Sequence, residues 1–432
     1  MRRKYFWQKD GKCRKDCNSF DRCDIIEKPK FLPTGTDLIM NKNLTFRYSA
    51  HQFVYWAAVG GVVSFAATYL LSLGFTAAQV GWVLFSALML SFLLQPAVGS
   101  LADRAKKNIL PQMLLALSAV CTLCFLTVRF AKLPMPVFAV IYVIGVMALD
   151  MQVPLMNSMS VYYTKRGWSI NYGLGRGVGG FGFAVATLGY GYLMEYLGEN
   201  WMPIAAVVFI ILSAVFTITY PDASGDEGTL DDSGIASPCT VPEFFSKYRW
   251  YCISLFGVIF LGMFHVMTEN YLIEVFKRIG GDSSNVGVAL FVATVTELPG
   301  MTLYPLFLKK YGCRKLLTVS GAFFTLKAVL LTMASSVMAI YLIQLLQCAT
   351  YVLLSMSQLY YAEECTAPAD MIKGQSMITA SYTLGCAVGN LLGGEIISRS
   401  GVDSMLGTGI VIAASGMLVF VLTLKKAERR GV

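Results

Sequence analysis

Long apolar runs separated by short polar turns set the pattern of this chain. Runs of about 20 mostly apolar residues are long enough to cross hydrocarbon as helices. They lie near residues 50–73, 77–101, 109–130, 136–163, 172–197 and 202–220. A polar stretch over 221–249 follows, and then six more runs near 250–276, 286–309, 315–334, 338–363, 374–399 and 403–425. Inside a bilayer, backbone N–H and C=O groups must be satisfied within their own segment, so such runs predict helices. Barrel strands would be shorter and would alternate. The pattern predicts an all-α membrane protein with twelve transmembrane helices, six on each side of a central loop.

The short loops fix the orientation. With an inside N-terminus, the inner loops and tail hold Lys165, Arg166, Lys309, Lys310, Lys373 and other basic residues, about three for every one in the outer loops. Both termini are therefore expected in the cytoplasm, with the chain multi-pass in the cell membrane. Residues 1–47 carry no apolar core, so they predict a disordered cytoplasmic extension and not a signal peptide. Met40 offers a second candidate start, directly ahead of the first run. The domains read as 1–47, a six-helix bundle over 48–220, a cytoplasmic loop over 221–249, and a second six-helix bundle with a short basic tail over 250–432.

Composition narrows the class further. Hydrophobic residues make up 56% and charged residues only 14% of 432, against about 25% charged in a soluble domain. A net charge of +9 does not point to nucleic acid, because the basic residues fall between apolar runs and form no stripe. The eleven cysteines sit mostly in apolar segments and read as small hydrophobes. With only His51 and His265, and Cys13, Cys17 and Cys23 at spacings that fit no zinc pattern, no metal or cofactor is expected. The sequence also lacks H-E-x-x-H, G-x-S-x-G and Walker motifs, which argues against a membrane enzyme.

The halves repeat one another. A shift of 206 residues lays FTAAQVGWVLFSALMLSF against GDSSNVGVALFVATVTEL, with Gly81 on Gly287, and a shift of about 200 brings Gly173 to Gly374. Two pseudo-symmetric six-helix bundles follow, with a cavity between them near the bilayer midplane. GSLADRAKK (Gly99 to Lys107), in the loop after the second run, resembles the loop motif of the major facilitator superfamily. QPAVGSLADRAKK, VPLMNSMSVYY, NYGLGRGVGGFGFA and TELPGMTLYPLFLKKYG resemble its lactose permease and phenylpropionate transporter branch. The likeness covers essentially Ala50 to Lys426 and implies a secondary transporter whose halves rock, with Gly99, Asp103 and Arg104 serving the inner gate.

Charge inside a membrane is costly and marks candidate function. Asp150 and Asn157 lie seven residues apart in the fourth run, on one face of a continuous helix. Arg176 sits among glycines at the start of the fifth run. Glu297 stands beside Pro299 in the eighth, and Lys327 lies midway along the ninth. His265 and Glu269 are four residues apart in the seventh and share a face. Lys327 is expected to pair with Glu297 or Glu269. The resemblance implies substrate contacts at Asp150, Asn157, Arg176 and Phe183. It implies proton coupling or charge pairing at Glu297, Glu269, Lys327 and His265. At two positions where that branch handles protons, this chain carries Gln347 and Thr350, which do not titrate. The expectation is a monomeric, proton-coupled symporter for a small polar solute, a sugar or glycoside first. Uptake of an aromatic or other organic acid, and export of drugs or metabolites, remain open.

Overall fold

The computed structural model describes residues 35–104, 109–166, 168, 170–221, 240–367 and 370–428. The calls on residues 1–34, on most of the central loop, and on the side chains of Gly99, Asp103 and Arg104 lie outside the described residues. From Asn41 onwards the chain forms one compact unit. It is built of α1 (Gly35–Val62), α2 (Ala66–Ser72), α3 (Ala77–Arg104), α4 (Leu110–Phe130), α5 (Met135–Asp150), α6 (Gln152–Lys165), α7 (Tyr172–Leu197) and α8 (Met202–Ile218). After the central loop come α9 (Val241–Lys247), α10 (Arg249–Asn270), α11 (Leu272–Lys277), α12 (Ser283–Tyr311), α13 (Cys313–Met333), α14 (Val337–Gln344), α15 (Tyr351–Cys365) and α16 (Met371–Glu428).

Among the described residues, ten helical stretches are long and apolar enough to cross a membrane. One of them, Lys373–Leu424, is two helices, because Gly401 turns the chain at φ 80°. Another spanning helix is α7, 26 residues long, whose eight glycines dilute its hydropathy. Twelve spans result, and no strand occurs among the described residues.

The first span of each group of three is interrupted. The chain leaves α-helix between α1 and α2, at Met151 between α5 and α6, at Tyr271 between α10 and α11, and through the 3₁₀ turn Leu345–Cys348 between α14 and α15. The break at Met151 has a visible cause. Pro154 has no N–H to offer the carbonyl of Asp150, four residues back. Asp150 ends α5 and Asn157 lies on α6, on either side of the single turn residue Met151.

The halves meet at one end. There α3 packs on the first part of α16, and α7 crosses α12. A Cβ on Gly191 would fall 2.8 Å from the Cα of Gly287, and one on Gly394 would collide with the carbonyl of Ala77. Such spacing admits only glycine, and backbones this close gain van der Waals contact that lipid cannot supply. Tyr271 donates from its hydroxyl to the Ala77 carbonyl at 3.3 Å, and Trp82 Nε1 donates to Glu395 at 3.2 Å. Gly180 and Gly177 lie about three and four turns back from Gly191 on the same helix face. A Cβ on either would meet nothing within 4 Å. The halves therefore diverge along α7, and the space between them opens away from the glycine crossings.

The seven described cysteines are free. His51 is buried inside the first half, with Nε2 2.9 Å from Ser213 Oγ and Nδ1 3.3 Å from the Tyr220 hydroxyl, so its role is in packing α1 against α8.

Candidate functional site: the cavity between the halves

On the wall of the first half, Arg176 projects from the glycine-rich start of α7. Its guanidinium carbon lies 4.1 Å from the centroid of Trp56, a cation–π contact. The flanking glycines make this possible. A side chain at Gly179 would strike the Trp56 ring, and one at Gly175 would strike Tyr48. Trp56 is fixed in turn. Its indole N–H donates to Gln52 Oε1 at 2.9 Å, and the Gln52 amide donates to the Tyr48 hydroxyl at 2.7 Å. One face of α1 thus forms a platform of Tyr48, Gln52 and Trp56 under Arg176.

Tyr55 and Trp56 stand near the start of a span, where aromatic residues commonly anchor to headgroups. In the structure Tyr55 is buried, with its hydroxyl donating to the Leu149 carbonyl at 2.8 Å, and Trp56 is the seat of Arg176. Tyr251 is also buried, its hydroxyl donating to the Gly374 carbonyl.

On the wall of the second half, three helices bring charges together. Lys327 of α13 is 1% exposed. Its ammonium donates to Gln347 Oε1 at 2.9 Å and stands 3.7 Å from Glu269 Oε1 of α10. The Gln347 amide donates to Glu297 Oε1 of α12 at 3.3 Å. The orientation of this amide is dictated by chemistry, since an ammonium only donates and a carboxylate only accepts. The expected partnership of Lys327 is therefore direct with Glu269 and relayed by Gln347 to Glu297. Gln347 reaches this place from the 3₁₀ turn in the tenth span, a geometry that no sequence motif announces.

His265 lies one helical turn before Glu269, with its Nδ1 3.8 Å from Glu269 Oε1. Its ring is stacked on Tyr351, 5.0 Å between centroids and 11° between planes, and Tyr382 lies beside it. Arg176 of the first half and Glu297 and Tyr351 of the second are near enough to interact electrostatically.

Three further residues singled out in the sequence take different positions. Phe183 lies two turns beyond Arg176 and packs against Gly60 of α1. Asn157 is half-buried on α6, its carbonyl accepting from Ser160. Asp150 ends α5 and turns to Ser91 of α3, whose hydroxyl is 3.4 Å from its carboxylate. No group of three or more His, Cys, Asp or Glu suited to a metal occurs among the described residues. Tyr48, Gln52 and Trp56 escaped sequence reasoning. Their signal was the i, i+4, i+8 spacing of polar-tipped side chains on the first span.

Known proteins agree with this architecture. The chain is 24% identical over 328 residues to the uncharacterized transporter YwbF of Bacillus subtilis (strain 168), covering 75% of this chain and 77% of that one. It is 23% identical over 366 residues to the maltose permease of Geobacillus stearothermophilus, covering 82% and 88%. Among solved structures, the nucleoside transporter NupG shares the fold with a TM-score of 0.74 at 16% identity, over 89% of this chain and 98% of that one. The POT family transporter PepTSo does so with a TM-score of 0.69 at 13% identity, over 90% and 99%. The chain is a multi-pass membrane transporter and not an enzyme, and it belongs to the MFS_1 like family, whose model matches residues 45–405.

Proposed function

We propose that the protein takes up a neutral, polyhydroxylated solute, a sugar or glycoside, in symport with a proton by alternating access. One observation carries the choice of solute. Lys327 is held by Glu269 and Gln347, while Arg176 of the first half and Glu297 of the second lie within electrostatic range of one another. An organic acid needs uncompensated positive charge. A cation and a carboxylate on opposite walls instead suit hydroxyls, which accept from a guanidinium and donate to a carboxylate. The maltose permease relative supports the same class. Glu297, linked through Gln347 to Lys327, is the proton-coupling acid of this reading, and Glu269 and His265 complete its charge network. With both termini in the cytoplasm of a cell-membrane protein, the open end of the cavity faces inward. Gly99, Asp103 and Arg104 then belong to the gate at that open end. The protein works as a monomer.

A thermal-shift screen of the detergent-purified chain tests the solute class. Maltose, methyl galactosides, uridine and phenylpropionate are compared at equal ionic strength. A ligand at 100 times its Kd stabilises the native state by about 2.7 kcal/mol. Stabilisation by a glycoside that Arg176→Ala abolishes is expected. Stabilisation by phenylpropionate alone overturns the neutral-solute reading.

A further inference from the structure

Tyr351 stands among the charges of both halves, and the charge network above leaves it unused. It lies halfway along the tenth span, Val337–Cys365. Glu269 and Glu297 of the second half and Arg176 of the first are all near enough to interact with it electrostatically. Its side chain is half-buried. Its hydroxyl has no hydrogen-bond partner among the described residues, yet it is not sealed in as the partnerless hydroxyls of Tyr190 and Tyr361 are. A reachable, unpaired hydroxyl can both donate to a guest and accept from it.

The ring is held from two directions. The 3₁₀ turn ends at Thr350, whose hydroxyl donates to the Leu346 carbonyl at 3.0 Å and whose carbonyl accepts from Ser320 Oγ at 2.8 Å. The helix α15 therefore starts at Tyr351 itself. His265 lies flat on the Tyr351 ring, 5.0 Å between centroids and 11° between planes, and Phe324 of α13 stands edge-on to His265 at 6.1 Å and 78°. The nitrogens of His265 do less to fix it. Its Nδ1 and Glu269 Oε1 are 3.8 Å apart, and both atoms are buried without a hydrogen bond among the described residues. Stacking is what sets the imidazole against Tyr351. The other aromatic rings near Arg176 are already engaged, since Trp56 carries the guanidinium and Phe183 packs against Gly60.

We infer that Tyr351 touches the transported solute, through its hydroxyl and the ring surface that His265 leaves open, and that His265 is a positioning residue for that ring. The inference rests on the glycoside reading and sharpens it. The C–H face of a pyranose carries slight positive charge and suits the negative face of an aromatic ring, while its hydroxyls bond to Tyr351, Arg176 and Glu297. The site then favours a cyclic glycoside over an acyclic polyol with similar hydroxyls. It also gives His265 a role through its ring, beyond its place beside Glu269.

Affinity is read by thermal shift of the detergent-purified full chain titrated with methyl galactosides, maltose, sorbitol and phenylpropionate. Tyr351→Phe keeps the ring and should raise the half-effective glycoside concentration about 2- to 10-fold, the worth of one hydrogen bond. Tyr351→Leu removes ring and hydroxyl together and should raise it about 10-fold or more. His265→Leu should raise it about 2- to 10-fold by loss of the stacked pair. In proteoliposomes the same variant should raise KM for solute exchange with little change in the maximal rate. His265→Phe, which restores a flat ring against Tyr351, should recover most of that loss. Sorbitol should stabilise the wild type less than a glycoside does, and Tyr351→Leu should narrow the difference. If Tyr351→Leu does not fold, Tyr351→Phe and the His265 pair decide. Glycoside affinity unchanged in the Tyr351 variants overturns the contact and leaves the glycoside reading intact. His265→Phe no better than His265→Leu overturns the positioning role. Stabilisation by phenylpropionate alone, abolished in Tyr351→Leu, overturns the glycoside reading and keeps the contact. A wild type that none of the four stabilises overturns both.

Discussion

Lys327 shows how much of this protein is decided one side chain at a time. A fully buried ammonium is tolerated because Glu269 balances its charge and Gln347 accepts one of its hydrogens. Removing it leaves Glu269 uncompensated, which costs about 3–5 kcal/mol when one partner of a buried pair is lost. Lys327→Met should lower the melting temperature sharply in detergent. The double variant Lys327→Met, Glu269→Gln should recover most of the loss, and a double variant no more stable than the single one would show that the pair is not what matters. Glu297→Gln is gentler, because its side-chain oxygen still accepts from Gln347. Folded protein is therefore expected in the membrane. In proteoliposomes the variant should exchange solute down its gradient while failing to accumulate it against one, and normal accumulation would remove Glu297 from coupling. Trp56→Ala strips Arg176 of its platform. A cation–π contact is worth about 0.5–2 kcal/mol, so solute affinity should fall between about 2-fold and 30-fold, with Trp56→Phe intermediate. The charged residues of the second wall were legible in the sequence for a physical reason: charge in a membrane has to find a partner, so Glu269, Glu297 and Lys327 on neighbouring spans had to meet. The Tyr48–Gln52–Trp56 platform was not. Aromatic residues at the start of a span look the same whether they face headgroups or a guanidinium.

Interrupted helices are the feature of the element scale. The spans themselves were readable, since about 20 apolar residues cross hydrocarbon in one conformation only. The glycine-rich α7 was readable too, by its length and place in the repeat, even though its hydropathy is low. The interruptions were harder. Pro154 marks the break at Met151, but the turn at Leu345–Cys348 contains no proline or glycine, and only packing against α12 and α13 shows why Gln347 has to point inward. Short 3₁₀ stretches inside long helices often mark functional hinges. Pro154→Ala would supply an N–H to the Asp150 carbonyl and favour a continuous fourth span. The variant should melt higher than the wild type and turn over more slowly. Unchanged transport with raised stability would show that the break is not needed for function.

At the scale of the whole molecule, the internal repeat and the closure of the two halves turn out to be the same fact. Gly81 and Gly287 occupy equivalent places in the two halves, and each lies at a crossing with the other half: Gly81 beside the Asn390 carbonyl, Gly287 beside Gly191 and the Thr187 carbonyl. The sequence repeat therefore encodes a pair of matched contacts at one end, and the open end follows from the divergence beyond them. A residue that forbids the crossings should push the equilibrium towards the conformer in which that end is apart. Gly287→Trp places an indole where even a methyl would stand 2.7 Å from the Thr187 carbonyl. The second crossing, where Trp82 and Tyr271 bond across the halves, would then have to part as well, because the halves move as packed bodies. Spin labels on the exposed Gln79 of α3 and Ser398 of α16 report this end directly. The wild type should give a single short distance, and Gly287→Trp a longer one, with the milder Gly287→Ala populating both. A short distance retained in Gly287→Trp would mean that the glycine contacts accompany closure without controlling it, and that control lies instead in the charges of the cavity.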